Sequence, residues 1–212
     1  MRSRAAPKEK KARGRPAASA QALGAVQIVD VGLQLLHEHG LAALSMRALA
    51  KRLGVQASAL YWHLGDKNEL VAHMSWRFYQ GAIDAAAGSK TSGEWLRRFG
   101  VSFHGALLAH TDAAQLCAIA RPQGQDPKST GDMLAAPLMF LGLAREDALI
   151  RLASVISLAL GWAVYEQSEA QRNYLAQMIA LDAGFEIALR ALLSGFSIDP
   201  ALSSAARLRI SG

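Results

Sequence analysis

The stretch from Leu44 to Leu70, LSMRALAKRLGVQASALYWHLGDKNEL, leaves this chain the least freedom. Two short helical patterns meet there at Gly54. Leu49, Ala50 and Leu53 make an apolar face on the first, and Val55, Ala59 and Leu60 continue it on the second. The joint is a tight turn, where glycine adopts a left-handed backbone without a side-chain clash. Two helices joined in this way form a helix-turn-helix. The second, from about Gln56 to Trp62, is only about two turns long and marginal as a lone helix in water, so packing must hold it.

The flanking sequence supplies that packing. Leu23, Val26, Ile28, Val29, Leu33, Leu35 and Leu36 predict a helix from about Ser19 to His39, with Gly40 as its stop. Ser45 is the N-cap candidate of the next helix, which runs to about Leu53. Asp66, with Glu69 three residues on, has capping-box spacing and opens a long helix through about Ala87. His37 and His39 point in different directions on a helix, which fits capping or solvent better than a metal pair.

The net charge of +6 is unevenly placed: residues 1–20 carry seven Lys/Arg against one Glu, while residues 81–212 sum to −1. Such polarity aims one end of the chain at a polyanion. Residues 1–18 have no apolar period to repay ordering, which makes them a disordered basic arm. Within it, Arg13-Gly14-Arg15-Pro16 is narrow and basic enough to enter a DNA minor groove; a solvated, nonspecifically attractive tail is the other reading.

Apolar residues make up 51% and aromatics 7%, alanine and leucine recur throughout, and β-branched runs and two-residue hairpin turns are few, so the expected fold class is all-α. No apolar run approaches the roughly 18 residues of a membrane span, and no hydrophobic segment follows the basic N-terminus, so neither a membrane partner nor a secretory signal is expected. The single cysteine, Cys117, excludes an intramolecular disulfide framework and fits a reducing cytoplasm.

Gly88-Ser89-Lys90-Thr91-Ser92-Gly93 is a loop that puts a domain seam nearby, dividing a head at residues 19–80 from a body at 81–212. In the body, helices are expected over about 92–109, 112–119, 127–141, 145–169 and 171–195, the last broken near Asp182, with residues 198–212 frayed. Pro137 would kink the third of these unless a boundary lies there. Trp95, Phe99, Phe103, Ala106 and His110 share one face of the helix from Ser92, a stripe that suits either plain core or the wall of a pocket. There is no Gly-rich phosphate loop, paired metal-ligand motif or nucleophile elbow, so no enzyme is expected. Asp112, Asp126 and Asp132 fit caps and solvated charge.

Leu53-Gly54-Val55, then Leu60-Tyr61-Trp62-His63, then Lys67 resembles the DNA-binding domain of the tetracycline-repressor (TetR) family. The likeness is strongest over about residues 20–75 and is closest to the branch of the tetracycline repressor itself, because Tyr-Trp-His stands where most of the family has Tyr followed by other residues. The resemblance implies a three-helix helix-turn-helix DNA-binding domain at the N-terminus and a helical ligand-binding and dimerisation domain behind it. It implies that Gln56, Ala57, Ser58 and Ala59 face bases, and that Arg47 reads a base or a phosphate. Tyr61, Trp62, His63 and Lys67, supported by Ser45, would then hold the DNA backbone, a task suited to hydroxyls, lysines and helix N-termini. Gln56 departs from the family, where a better N-cap such as Ser is common. Local packing for Tyr61 and Trp62, a structural cap for His63 and a surface ion pair for Arg47 are the competing readings.

In the body the resemblance is weaker and rests on Ala106 to His110 leading to Arg121-Pro122, on Gly161 followed by Gln167, and on Phe185 to Leu189. Phe103 matches a ligand-packing phenylalanine. The drug-bonding asparagine of that branch falls on Phe99, its magnesium-binding histidine on Cys117, a neighbouring threonine on Ala120, a second histidine on Ser157, a glutamate on Tyr165, and a glutamine near Met133 or Leu134. Mg²⁺ wants oxygen ligands and keeps its waters, so Cys, Ser and Tyr make no replacement shell, and no metal or cofactor is expected. Phe99, Phe103, Cys117, Met133 and Tyr165 instead imply an apolar or aromatic effector, with Tyr165, Ser157 and His110 as polar anchors and Cys117 as a buried, inert thiol. Taken together, the resemblance implies a ligand-responsive homodimeric repressor on a palindromic double-stranded DNA operator. One short recognition helix reads few bases, so a two-fold dimer is also the physical expectation. The Arg-rich arm leaves an architectural, nonspecific DNA-binding protein as the alternative.

Overall fold

A computed structural model of the chain describes residues 24–120 and 127–198. The arm with Arg13 and Arg15, the expected helix start at Ser19, Arg121, Pro122, Asp126 and the C-terminal segment from 199 onward lie outside the described residues. Among those described there are ten helices and no strand: α1 (Ala25–Ala43), α2 (Met46–Leu53), α3 (Ala57–Leu64), α4 (Lys67–Ala86), α5 (Ser92–Leu108), α6 (Ala113–Ile119), α7 (Pro127–Phe140), α8 (Arg145–Gln167), α9 (Glu169–Leu175) and α10 (Leu181–Ile198). The all-α expectation holds.

The first three helices close over one core in which Ile28, Leu36, Leu49, Leu60, Leu70 and Met74 are all at 0% exposure. Ser45 caps α2 by accepting the Ala48 N–H at 3.2 Å, and Asp66 caps α4 by accepting the Glu69 N–H at 2.9 Å, so both sequence-read caps form. The regular part of α1 stops at Gly40 as the sequence reads, because its backbone (φ 73, ψ 177) is non-helical, and a short helical segment follows it to Ala43. α4 carries the head into the body, with Leu70, Met74, Phe78, Tyr79 and Ala82 all buried in one continuous core.

α5 is the axis of the body and packs against α4, α6, α8 and α10. Gly100 makes that possible: a Cβ there would lie 2.9 Å from Val155 of α8 and 3.0 Å from Leu189 of α10. Along α5 the rings of Trp95, Phe99 and Phe103 stack at 5.2 and 5.6 Å, and Tyr79 of α4 caps the stack 4.9 Å from Phe103. Pro137 sits in the last turn of α7, which ends at Phe140 before Gly142 (φ 94) reverses the chain, so the nearby boundary absorbs the proline.

In the C-terminal half the helix expected over 171–195 with a break near Asp182 is two helices, α9 and α10, the break falling at 176–180, with Ser168 both ending α8 and capping α9. α8, contrary to the reading of the apolar runs, is long and apolar enough to cross a bilayer by length and composition, with a mean hydropathy of 1.7 over a window of which only 28% is buried. One face of α8 packs on α5, α7 and α10, while Ile150, Ser157, Gly161 and Tyr165 stand exposed on the other.

Candidate nucleic-acid interface and the body behind it

α2 ends at Gly54, whose left-handed backbone (φ 67, ψ 27) lets its N–H reach the carbonyls of Ala50 and Lys51. The Val55 N–H bonds back to the Ala50 carbonyl at 3.0 Å, closing the turn. α3 then starts after Gln56, which has N-cap geometry but makes no side-chain cap bond, leaving its amide free for another task. Leu60 and Leu64 anchor α3 from below at 0 and 1% exposure. Ala57 packs partly against the same core, while Ser58, Tyr61, Trp62 and His63 are turned outward.

On that outer side Gln56 and Ser58 are exposed, Ala57 and Ala59 are half-buried, and Val55, Gln56, Ser58, Ala59, Trp62 and His63 line a shallow groove. Tyr61 is 50% exposed and Trp62 is 89% exposed, so packing beneath the helix is not what holds the indole. Ser45, Arg47, His63 and Lys67 are exposed around the same helix pair. Arg52 and Arg77 are engaged with Glu38 and Asp30, the former through two 2.7 Å bonds, whereas no ion pair involves Arg47 or Lys67 among the described residues.

The seam between head and body is made by a residue the sequence presented as a helix cap. Asp112 precedes α6 in a left-handed backbone (φ 55), and its side chain makes no cap bond. Instead its Oδ2 accepts the N–H of Leu41, just past the bend in α1, at 2.8 Å. Beside it the Thr111 hydroxyl donates to the His37 carbonyl at 3.2 Å. A Cβ on Gly40 would come within 2.7 Å of Asp112 Oδ2, so glycine is required there both for φ and for space. His110 belongs to this seam as well: its ring packs edge-on to Phe78 at 5.2 Å and to His37 at 5.7 Å, with Nδ1 3.1 Å from the Ala106 carbonyl. No local spacing could reveal the Leu41–Asp112 bond, which joins positions 71 apart.

Of the residues proposed for a ligand, Phe99 and Phe103 come together at 0% exposure and Cys117 joins the same core at 5%. Burial pushes the Cys117 thiol up to about 12 and raises the Tyr79 phenol, so both stay protonated. Met133 and Tyr165 are each 45% exposed and Ser157 is exposed, so the structure does not gather them with the ring stack, and His110 faces the head. A separate cleft of about 990 Å³ opens between α5, the end of α8, α9 and α10, lined by His104, Glu166, Gln167, Phe185 and their neighbours. Sequence reading passed over His104 and Glu166 and noted Gln167 and Phe185 only as points of resemblance, because only the tertiary fold brings the four together.

A helix-turn-helix with an outward polar and aromatic face, joined through α4 to the helices behind it in one continuous core, defines a helix-turn-helix protein. Residues 28–74 match the family described as bacterial regulatory proteins, tetR family. The chain is 34% identical over 149 residues to the tetracycline repressor protein class D of Escherichia coli, covering 67% of this chain and 65% of that one. It is 31% identical over 152 residues to the class C repressor of Escherichia coli, covering 69% and 67%. The structure of BioQ with its natural double-stranded DNA operator superposes with a TM-score of 0.63 at 28% identity, covering 84% of this chain and 99% of that chain. The chain belongs to the TetR family of regulators, which are not enzymes. Its match spans just under two thirds of the class D repressor, at 65%.

Proposed function

We propose that this chain is a ligand-responsive transcriptional repressor, acting in the cytoplasm as a homodimer on a palindromic double-stranded DNA operator. The observation that carries the reading is the outer face of α3, where an indole 89% exposed stands beside Gln56, Ser58, Tyr61 and His63 on a helix otherwise anchored in the core. A large aromatic held in water beside polar groups has a surface partner. Gln56 and Ser58 reach base edges and Ala57 and Ala59 meet thymine methyls. Arg47 reads a base or a phosphate, while Ser45, Tyr61, Trp62, His63 and Lys67 set the register on the backbone. The DNA operator of BioQ supports the same use of this head.

One α3 covers too few bases for an operator, so two copies related by a two-fold axis read a palindrome. The exposed stripe of Ile150, Ser157, Gly161 and Tyr165 on α8, with Ile187 of α10 at 60% exposure, is the apolar surface with small residues that pairs the copies as a four-helix bundle. An effector bound in the body favours one arrangement of α4 and the seam over another, which moves the two recognition helices off register. With Cys117, Ser157 and Tyr165 standing where the resemblance would put magnesium ligands, that effector is a small apolar or aromatic compound rather than a drug–magnesium complex.

The test is fluorescence anisotropy with a palindrome from the chain's own promoter region against scrambled DNA of equal length. Equal affinity for the two refutes the reading. Removing residues 1–18 separates it from an architectural DNA-binding protein: a partial loss with a shallower salt dependence is expected, and a complete loss would favour the architectural reading.

A further inference from the structure

The cleft between α5, α8, α9 and α10 is distinct from the aromatic stack and has a polar floor. His104 of α5 stacks on Phe185 of α10 with ring centroids 3.8 Å apart, and its Nε2 lies 3.2 Å from Glu166 Oε2 of α8. Burial depresses the imidazole to about 4, so it is uncharged at neutral pH. Gln167 donates both N–H groups of its side-chain amide to carbonyls, Leu107 at 2.8 Å and His110 at 2.9 Å, which commits its Oε1 as an acceptor directed elsewhere. Gln167 Oε1 is a buried side-chain acceptor without a hydrogen-bond partner among the described residues, and His104 Nε2, which faces the Glu166 carboxylate at 3.2 Å, makes no aligned hydrogen bond to it. A buried polar atom left unmatched costs about 1–3 kcal/mol, so an unmatched acceptor in a cleft that also holds a carboxylate suits a donor.

We propose that this cleft is the effector site and takes a protonated aromatic amine, its ammonium held by Glu166 and Gln167 Oε1 and its apolar body against Val101, Leu108 and Ile179. An ammonium brings up to three donors and one positive charge to a floor of acceptors. An anion would meet the Glu166 carboxylate and the Gln167 oxygen instead. Among the described lining residues the rim charges of Arg172 and Glu186, both exposed, offset one another. The volume, about 990 Å³, accommodates a ligand of several fused rings. Gln167 also links the cleft to the seam, because the carbonyls it holds, Leu107 and His110, flank the segment that leads to Asp112 and its bond to Leu41. A ligand that draws on Oε1 therefore pulls on the same amide that fixes the end of α5.

The role as effector rests on the repressor reading; the binding chemistry does not. The test is calorimetric titration of the full-length protein with 1-naphthylmethylammonium, its uncharged isostere 1-naphthylmethanol, and 1-naphthoate. The amine is expected to bind at least ~10-fold more tightly than the alcohol, about 1.4 kcal/mol, and the naphthoate most weakly. Glu166→Gln should abolish the preference for amine over alcohol, and Ile179→Trp, which fills the cleft from its rim, should weaken amine and alcohol alike. Equal binding of amine and alcohol, a preference that survives Glu166→Gln, or binding indifferent to Ile179→Trp overturns the proposal. In parallel, unliganded protein is tested on the palindrome. Failure there refutes the repressor reading and leaves the binding result standing, whereas operator binding that the bound amine does not weaken overturns the effector role.

Discussion

Replacing Asp112 by Ala removes the acceptor of the Leu41 N–H, a part-buried bond of 2.8 Å between body and head. The stranded amide costs about 1–3 kcal/mol. Alanine must also adopt the left-handed backbone seen at φ 55, which Asp tolerates better, adding about 1 kcal/mol. For a chain of this size each kcal/mol moves the melting temperature by about 2–4 °C, so Asp112→Ala should melt roughly 5–10 °C lower. Asp112→Asn keeps an oxygen in place and a residue that accepts the left-handed region, and should recover most of the loss. Gly40→Ala is damaging for a related reason: its Cβ would lie 2.7 Å from Asp112 Oδ2 at a φ of 73. Deleting the carboxylate relieves that clash but not the strain, so the double variant should lose less than the sum of the singles by more than ~0.5 kcal/mol. Urea denaturation and thermal melting followed by circular dichroism measure all four proteins. Melting of Asp112→Ala within ~1 °C of the parent, or strict additivity in the cycle, would refute the assignment of this bond as the fastening between the two parts.

Trp62→Ala should leave the melting temperature unchanged, since the indole is 89% exposed, yet weaken operator binding by ~10-fold or more, about 1.4 kcal/mol; anisotropy and melting together decide it. Phe103→Ala removes a ring at 0% exposure that is stacked on Phe99 and Tyr79, and should cost about 3–5 kcal/mol in urea denaturation. A loss below ~1 kcal/mol would mean that the rings border a void rather than fill it. The depressed His104 value makes stability pH-dependent with a definite sign. Between its ordinary 6.5 and about 4 the unfolded chain binds a proton that the folded one does not, so stability falls as the pH drops through that window. The slope is at most about 1.4 kcal/mol per pH unit and is lessened by the facing Glu166 carboxylate, whose attraction for imidazolium opposes it. His104→Phe should flatten the curve there, and an unchanged profile would contradict the burial argument.

The head was legible in the chain because its determinants are local. Ser45 and Asp66 cap helices three residues long in reach, Gly54 turns one step of backbone, and the apolar spacing of Leu49, Leu53 and Leu60 selects the buried side within one short stretch. The likeness of Tyr61-Trp62-His63 to one family came from the same local run, and so did the expected outward face of α3. Local pattern also sufficed for the ring stack on α5, where a stripe repeating every four residues must share a face, though it could not decide between core and pocket wall. That choice belonged to Tyr79 and to the neighbours that Gly100 admits, all from other helices.

What remained hidden depends on contacts between distant parts of the chain. Gly40 read as a helix stop, which it is, but the sequence did not show that its bend clears room for Asp112, and Asp112 read as a cap, but it spends its carboxylate on Leu41. Tyr165 and Ser157 carried the right chemistry for ligand anchors yet lie on the outer side of α8, while His104 and Glu166, which no motif distinguishes, share a cleft with Gln167, noted in the sequence only for its spacing from Gly161. Helical periodicity assigns residues to faces of their own helix and says nothing about which helix each face meets. The sequence by itself therefore determined the helices, their caps and the DNA-reading stretch, whose hydrogen bonds close within a turn or two. The seam and the cleft were decided only by the tertiary structure, because a bond between positions 71 apart, or a pocket floored by three helices, exists only after the whole body has packed.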